Sequence, residues 1–221
     1  MKTLIAIPCM DMVHTGFMKS LLYLQKGEGV DVCFRQNSLI YESRNILSIT
    51  AIENKYDYVM WFDSDMEFQP DAMQKLMKDI NFLTEQGHDV QMITGVYVKR
   101  RGIDVPVMYS KLDPPAPGAD GKLEKRIDDY IEYPEHSLFP IAGCGFGGVL
   151  TKVSLLKEVW DKFGPAFHPY PWAGEDISFC HKVNQLGKDR IWCDSGVQYG
   201  HIGMQTFYDK RYVNMRGDNH E

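Results

Sequence analysis

Tyr58-Val59-Met60-Trp61-Phe62-Asp63-Ser64-Asp65 runs five large apolar residues straight into two acids separated by one small residue. An apolar run with no polar alternation predicts a strand buried on both faces of a parallel sheet, with the acids emerging at its carboxyl end. In open α/β sheets that edge is where ligands sit, so two carboxylates there point to a cation site. On an extended backbone Asp63 and Asp65 would face opposite sides, and only a turn at the strand end brings both to one site.

The flanking chain supplies the rest of such a sheet. Leu4 to Ile7 reads as a first buried strand ended by Pro8, and a helix from about Thr15 to Lys26 is closed by Gly27 and Gly29. Val30 to Phe34 is a second strand, and Ser43 is placed to cap a helix from Arg44 to Asn54. Beyond Asp65, Pro70 and Asp71 open a helix to about Gln86, followed by a strand over Val90 to Thr94. Strands alternating with helices predict a parallel sheet with right-handed crossovers, so residues 1–100 read as a nucleotide-binding half.

From Val105 to Tyr133 the pattern changes to hairpin strands around a loop holding Pro114, Pro115, Pro117, Gly118 and Gly121. A loop of that length either contacts substrate or is simply mobile. Ile141 to Leu150 carries four glycines among apolar residues, then come a helix to about Phe163, a Pro-rich loop, a helix from about Glu175 to Leu186, and strands near Ile191 and Val197. One domain is expected over 1–221, with a second half over 101–205 and a basic tail over 206–221 that holds Lys210, Arg211 and Arg216.

The chain is 44% hydrophobic and 24% charged, as in an ordinary soluble globular protein, and its net charge of -6 disfavours broad nucleic-acid binding. Five scattered cysteines form no C-x-x-C pair, which argues against a structural zinc site and for free thiols in a reducing compartment. Pro8 and Asp11 cut the amino-terminal apolar run short of a secretory core, and no run reaches the roughly 20 residues that span a bilayer. A cytoplasmic protein is the expectation.

By itself D-x-D is a weak motif that a solvated loop also satisfies. Register removes two competitors. An EF-hand counted from Asp63 would need Gly and Glu where Phe68 and Gln74 stand. The haloacid-dehalogenase phosphatase pattern needs Thr or Val where Glu67 stands. Gly143-Cys144-Gly145-Phe146-Gly147-Gly148 lacks the G-x-G-x-x-G spacing of a dinucleotide loop.

Ser43-Arg44-Asn45 before a helix, the acid-tipped strand, the glycine-rich strand, Gly174-Glu175-Asp176 at a helix start and His201-Ile202-Gly203 follow one another in that order. The ordered set, from Ile7 to about His201, resembles the GT-A glycosyltransferases, family 2-like members of the nucleotide-diphospho-sugar transferases. The resemblance implies a Rossmann-like, mostly parallel sheet flanked by helices, with a small antiparallel sheet on the acceptor side. It implies a nucleotide-diphosphate sugar donor, a hydroxyl acceptor, and Mn²⁺ or Mg²⁺. The hydroxyl acceptor is left open among glycan, lipid, protein, small molecule and modified nucleobase.

By that resemblance Asp65 and His201 are the metal ligands, with Asp63 beside them and nearer the ribose, and Ser64 shares the donor contact. Pro8 and Cys9 would meet the base and ribose, Gln36 and Asn37 would hydrogen-bond the base, and Arg44 would lie near the nucleotide or diphosphate. Asp176 is the base of an inverting displacement and Glu175 orients the acceptor, with a retaining outcome as the alternative. Gly143 offers close backbone approach to sugar or acceptor, and the Trp172 face suits the apolar C–H face of a pyranose. Two other functions remain open: a sugar-1-phosphate nucleotidylyltransferase, although Ile7-Pro8-Cys9-Met10-Asp11 lacks a Gly-rich basic triphosphate loop, and a non-catalytic nucleotide- or sugar-binding module.

Overall fold

The computed structural model describes residues 1–36, 39–100, 105–203 and 206–207. In chain order the elements are β1 (Thr3–Cys9), α1 (Thr15–Tyr23), β2 (Val30–Gln36), α2 (Ile40–Glu53), β3 (Tyr58–Phe62), β4 (Met66–Phe68), α3 (Ala72–Glu85) and β5 (Met92–Val96). Then follow β6 (Met108–Pro117), β7 (Leu123–Asp129), β8 (Leu138–Pro140), β9 (Gly143–Cys144), β10 (Gly148–Lys152), α4 (Val153–Phe163), α5 (Glu175–Asn184), β11 (Ile191–Ile202) and β12 (Thr206–Phe207).

The main sheet runs β12-β11-β5-β10-β3-β1-β2, with β4 and β8 each pairing β11, and β7-β6-β9 forms a separate small antiparallel sheet. Strands β2, β1 and β3 run parallel, and so do β5 and β11, while β10 lies antiparallel between β3 and β5. The chain therefore has the mostly parallel α/β architecture that the sequence predicts, with one change: a strand from the second half completes the sheet of the first. Strand β10 is inserted between β3 and β5, so residues 1–100 do not make a continuous sheet alone.

Alternate residues of β1 and β3 serve two cores. Leu4, Ala6, Val59 and Trp61 join the face covered by α2, α4 and α5, whereas Ile5, Ile7, Met60 and Phe62 join the face covered by α1 and α3. This is why the run has no polar alternation: each of its last four side chains is fully buried, at roughly 1.5–3 kcal/mol apiece. Trp61 sits edge-on to Phe146 and Phe167, which ties β3 to the loop ahead of α5.

Several local expectations change. Pro8 does not end β1, because pairing with β3 stops at Ala6 and its missing N–H is not needed on that side. Helix α2 starts at Ile40, where the Leu39 carbonyl accepts from the Glu42 and Ser43 amides, so Ser43 is one turn inside the helix instead of capping it. Pro114, Pro115 and Pro117 belong to β6. A register shift between Asp113 and Ala116 absorbs their missing donors, and the reversal is a short turn from Gly118 to Gly121. The strands near Ile191 and Val197 are one strand with an irregularity between Cys193 and Gln198.

The short strand β4 was not visible in the sequence. It pairs antiparallel with β11, setting Met66 opposite His201, and the Ile202 amide donates to the Asp65 carbonyl at 2.7 Å. No helix among the described residues is long and apolar enough to cross a membrane.

Candidate active site

After Phe62 the chain turns, and the Met66 amide donates to the Asp63 carbonyl at 3.3 Å. The turn brings Asp63, Ser64 and Asp65 onto one cleft of about 340 Å³, shared with Pro8, Cys9, Met10, Met12, His14, Ile40, Ser43 and Arg100. Four predicted donor residues, Pro8, Cys9, Asp63 and Ser64, thus share a wall with Asp65. Ser43 adds a buried hydroxyl with no hydrogen-bond partner among the described residues. Gln36 lies outside this lining, its amide donating to Asp11 at 3.2 Å, and Asn37 falls outside the described residues, as do Lys210, Arg211 and Arg216.

Arg44 bridges two of the acids. Its guanidinium is 2% exposed and is spent on two carboxylates, donating to Asp63 Oδ1 at 2.6 Å and to Glu175 Oε1 at 2.8 Å. Phe146 and Phe167 lie against its cationic carbon at 5.2 and 5.9 Å. Burial alone would push Arg44 toward losing its proton, but Asp63, Glu175 and Asp176 outweigh it and raise its affinity for the proton. Arg44 therefore fastens the end of β3 to the start of α5 from beneath the cleft. Asn45 completes the linkage by accepting from the Phe167 amide at 2.9 Å.

Asp65 and His201 meet as the β4–β11 pairing requires. Asp65 Oδ2 lies 3.8 Å from His201 Nε2, and Arg100 pairs with the same carboxylate oxygen while its Nε donates to His201 Nε2 at 2.8 Å. With Nε2 accepting, Nδ1 carries the hydrogen and donates to the Val98 carbonyl at 2.9 Å, which fixes the ring. Burial lowers the His201 pKa, which favours the neutral ring whose Nε2 accepts from Arg100. Asp65 Oδ1 is buried without a hydrogen-bond partner among the described residues. A neutral, oriented imidazole beside a carboxylate with an unsatisfied oxygen fits a divalent cation. Among the described residues no three acidic, histidine or cysteine side chains are grouped to hold a metal ion by themselves.

Helix α5 opens at Glu175 behind Gly174, with Asp176 in its first turn accepting from the Ile177 amide at 2.7 Å. Burial, then the neighbouring Glu175 charge, raises the Asp176 pKa to about 6, against the pull of Arg44. Tyr97, whose hydroxyl accepts from the Gly147 amide at 3.2 Å, feels both Asp63 and Asp176. Arg44 thus links the acids at the strand and helix ends, although neither Glu175 nor Asp176 lines the cleft itself.

Trp172 stacks on Tyr170 with centroids 5.7 Å apart, and His181 stands edge-on to both. The loop they occupy is held by Lys182, whose ammonium donates to the carbonyls of Pro165, Ala166 and His168 at 3.1, 2.9 and 3.0 Å. Gly143 is buried, and a side chain there would strike Leu112 and Cys180, so its smallness serves the packing of α5 against β9. Gly148 likewise leaves room for the Tyr199 ring. Sequence reasoning missed Arg100, Tyr97 and Lys182. Each is an ordinary residue type in its local stretch, and only its partners mark it.

No protein-family sequence model and no curated protein matches the chain. Solved structures do. The crystal structure of A197 from STIV superposes with a TM-score of 0.68 at 20% identity, covering 96% of this chain and 92% of that one. GalNAc-T7, crystallised with UDP, GalNAc and Mn²⁺, gives 0.58 at 12% identity over 91% of this chain and 44% of that one. S. aureus TarS 1–349 gives 0.51 at 16% identity over 87% of this chain and 58% of that one, so the chain spans less than two thirds of these latter two. The fold is GT-A-like.

Proposed function

We propose that this protein is a glycosyltransferase that moves one sugar, a hexose or pentose, from a nucleotide-diphosphate donor to a hydroxyl acceptor. The observation that carries the reading is the meeting of Asp65 and His201 across the β4–β11 pairing, beside a cleft that also holds Asp63 and Ser64. The GT-A-like fold supports it, as does the structure of GalNAc-T7, which contains UDP, GalNAc and Mn²⁺.

Asp65 and His201 would hold Mn²⁺ or Mg²⁺, which when bound neutralises the charge of a departing diphosphate. The backbone and side chains of Pro8, Cys9 and Ser64 border the nucleotide, and Asp63, fixed by Arg44, holds its place at the strand end. Asp176 takes the acceptor's hydroxyl proton as that oxygen bonds the anomeric carbon and the bond to the diphosphate breaks, giving inversion. A carboxylate with a pKa of about 6 is mostly ionised at neutral pH yet more basic than an ordinary aspartate, as a proton acceptor should be. Trp172 supplies a flat apolar face for a sugar ring.

The test is nucleoside diphosphate release from a panel of nucleotide sugars with Mn²⁺ present. Asp65→Asn is expected to lose about 10²–10³-fold in turnover with its fold intact by circular dichroism. Undiminished activity in that variant overturns the assignment. Donor binding without release under any acceptor makes the protein a binding module.

A further inference from the structure

We propose that Arg100 is a built-in counter-cation for the Asp65–His201 pair, which a divalent cation must displace in order to bind. The inference rests on the reading of that pair as a cation site. Its guanidinium uses the two donor atoms a metal would use, pairing with Asp65 Oδ2 and donating from Nε to His201 Nε2 at 2.8 Å. One positive group therefore already stands where Asp65 and His201 converge, and two cations cannot share the same lone pairs.

Arg100 is built to leave. Its side chain is 54% exposed, whereas the Asp65 carboxylate is 12% exposed, so the arginine regains water on release while the carboxylate does not. It also satisfies only part of its partner, since Asp65 Oδ1 stays buried and unbonded among the described residues. A small ion with several open positions can engage both carboxylate oxygens, which the planar guanidinium as placed does not. Arg100 lines the donor cleft, so its charge after displacement remains beside the phosphates a donor would bring. Asp65 is thus kept paired when no metal is bound, at the expense of metal affinity.

Calorimetric titration of Mn²⁺ alone into wild type, Arg100→Gln and Asp65→Asn tests this. The expected result is binding to wild type, about threefold to tenfold tighter binding to Arg100→Gln, and none to Asp65→Asn. Equal or weaker binding by Arg100→Gln, with Asp65→Asn inactive in binding, overturns the inference and leaves the cation site standing. Absence of saturable binding to both wild type and Arg100→Gln, or binding unchanged in Asp65→Asn, overturns both. A second readout is the ¹⁵N arginine Nε–H resonance that disappears in Arg100→Gln. Saturating Mg²⁺ should move it to the shift and fast solvent exchange of a free arginine, and an unmoved, protected resonance counts against displacement.

Discussion

Each aspartate of the D-x-D stretch is paired with an arginine, and the two pairs differ in their relation to water. Arg44, which bridges Asp63 and Glu175, is 2% exposed and enclosed by Phe146 and Phe167. Arg100, which bridges Asp65 and His201, is 54% exposed at the cleft. The same guanidinium chemistry serves two ends. A sealed ion pair is hard to break because removing one partner strands a buried charge, while an open pair is worth little and exchanges readily. Within one short turn the chain gives one acid a sealed arginine and the other an exposed one.

The largest contrast should appear on removing the sealed arginine. Arg44→Met leaves Asp63 and Glu175 without their shared cation and is expected to cost about 3–5 kcal/mol in urea unfolding at pH 7. A cost below 1 kcal/mol would mean the pair is not sealed.

Asp176→Asn probes the acid that feels Arg44 without bonding it. The folded pKa of about 6 is raised above the ordinary aspartate value, so ionised Asp176 works against the fold. Its contribution favours the folded state below about pH 4 and is lost as pH rises through 6. The amide should therefore unfold roughly 1–2 kcal/mol later at pH 7, allowing for solvent screening, and match wild type near pH 4. Turnover should fall about 10²–10⁴-fold, and wild-type kcat/KM should decline below pH 6. A pH profile flat from 5 to 8 would remove Asp176 as the base.

The smallest effect belongs to the open pair. Arg100→Gln should change unfolding stability by about 1 kcal/mol, less than Arg44→Met because the lost arginine is itself exposed. Comparable losses in the two variants would erase the distinction between a fastening arginine and a displaceable one.

Much of this molecule is legible without coordinates. The apolar run before Asp63 is buried on both faces as its lack of alternation says, and the helices from Thr15, Ala72, Val153 and Glu175 fall within a few residues of their expected places. The ordered motifs point to a GT-A-like fold, and the fold agrees. Other local readings went astray where pairing overrode composition. Three prolines read as a loop but sit in β6, because a register shift and an edge-facing segment spare their missing donors. The glycines between Ile141 and Leu150 also have a packing role that local sequence does not show, since Gly143 makes room for Cys180 and Gly148 for Tyr199.

What the sequence alone determined is the burial pattern, since the periodicity of apolar residues is a property of neighbours along the chain. It also placed Asp63 and Asp65 at a strand end. The tertiary structure alone decided which acid pairs with the sealed arginine and which with the open one. That choice depends on Arg44 reaching Glu175 on α5 and on β4 pairing with β11 to set His201 beside Asp65. Strand register and ion pairing between distant segments are chosen by the packing of the whole domain, so no local stretch encodes them.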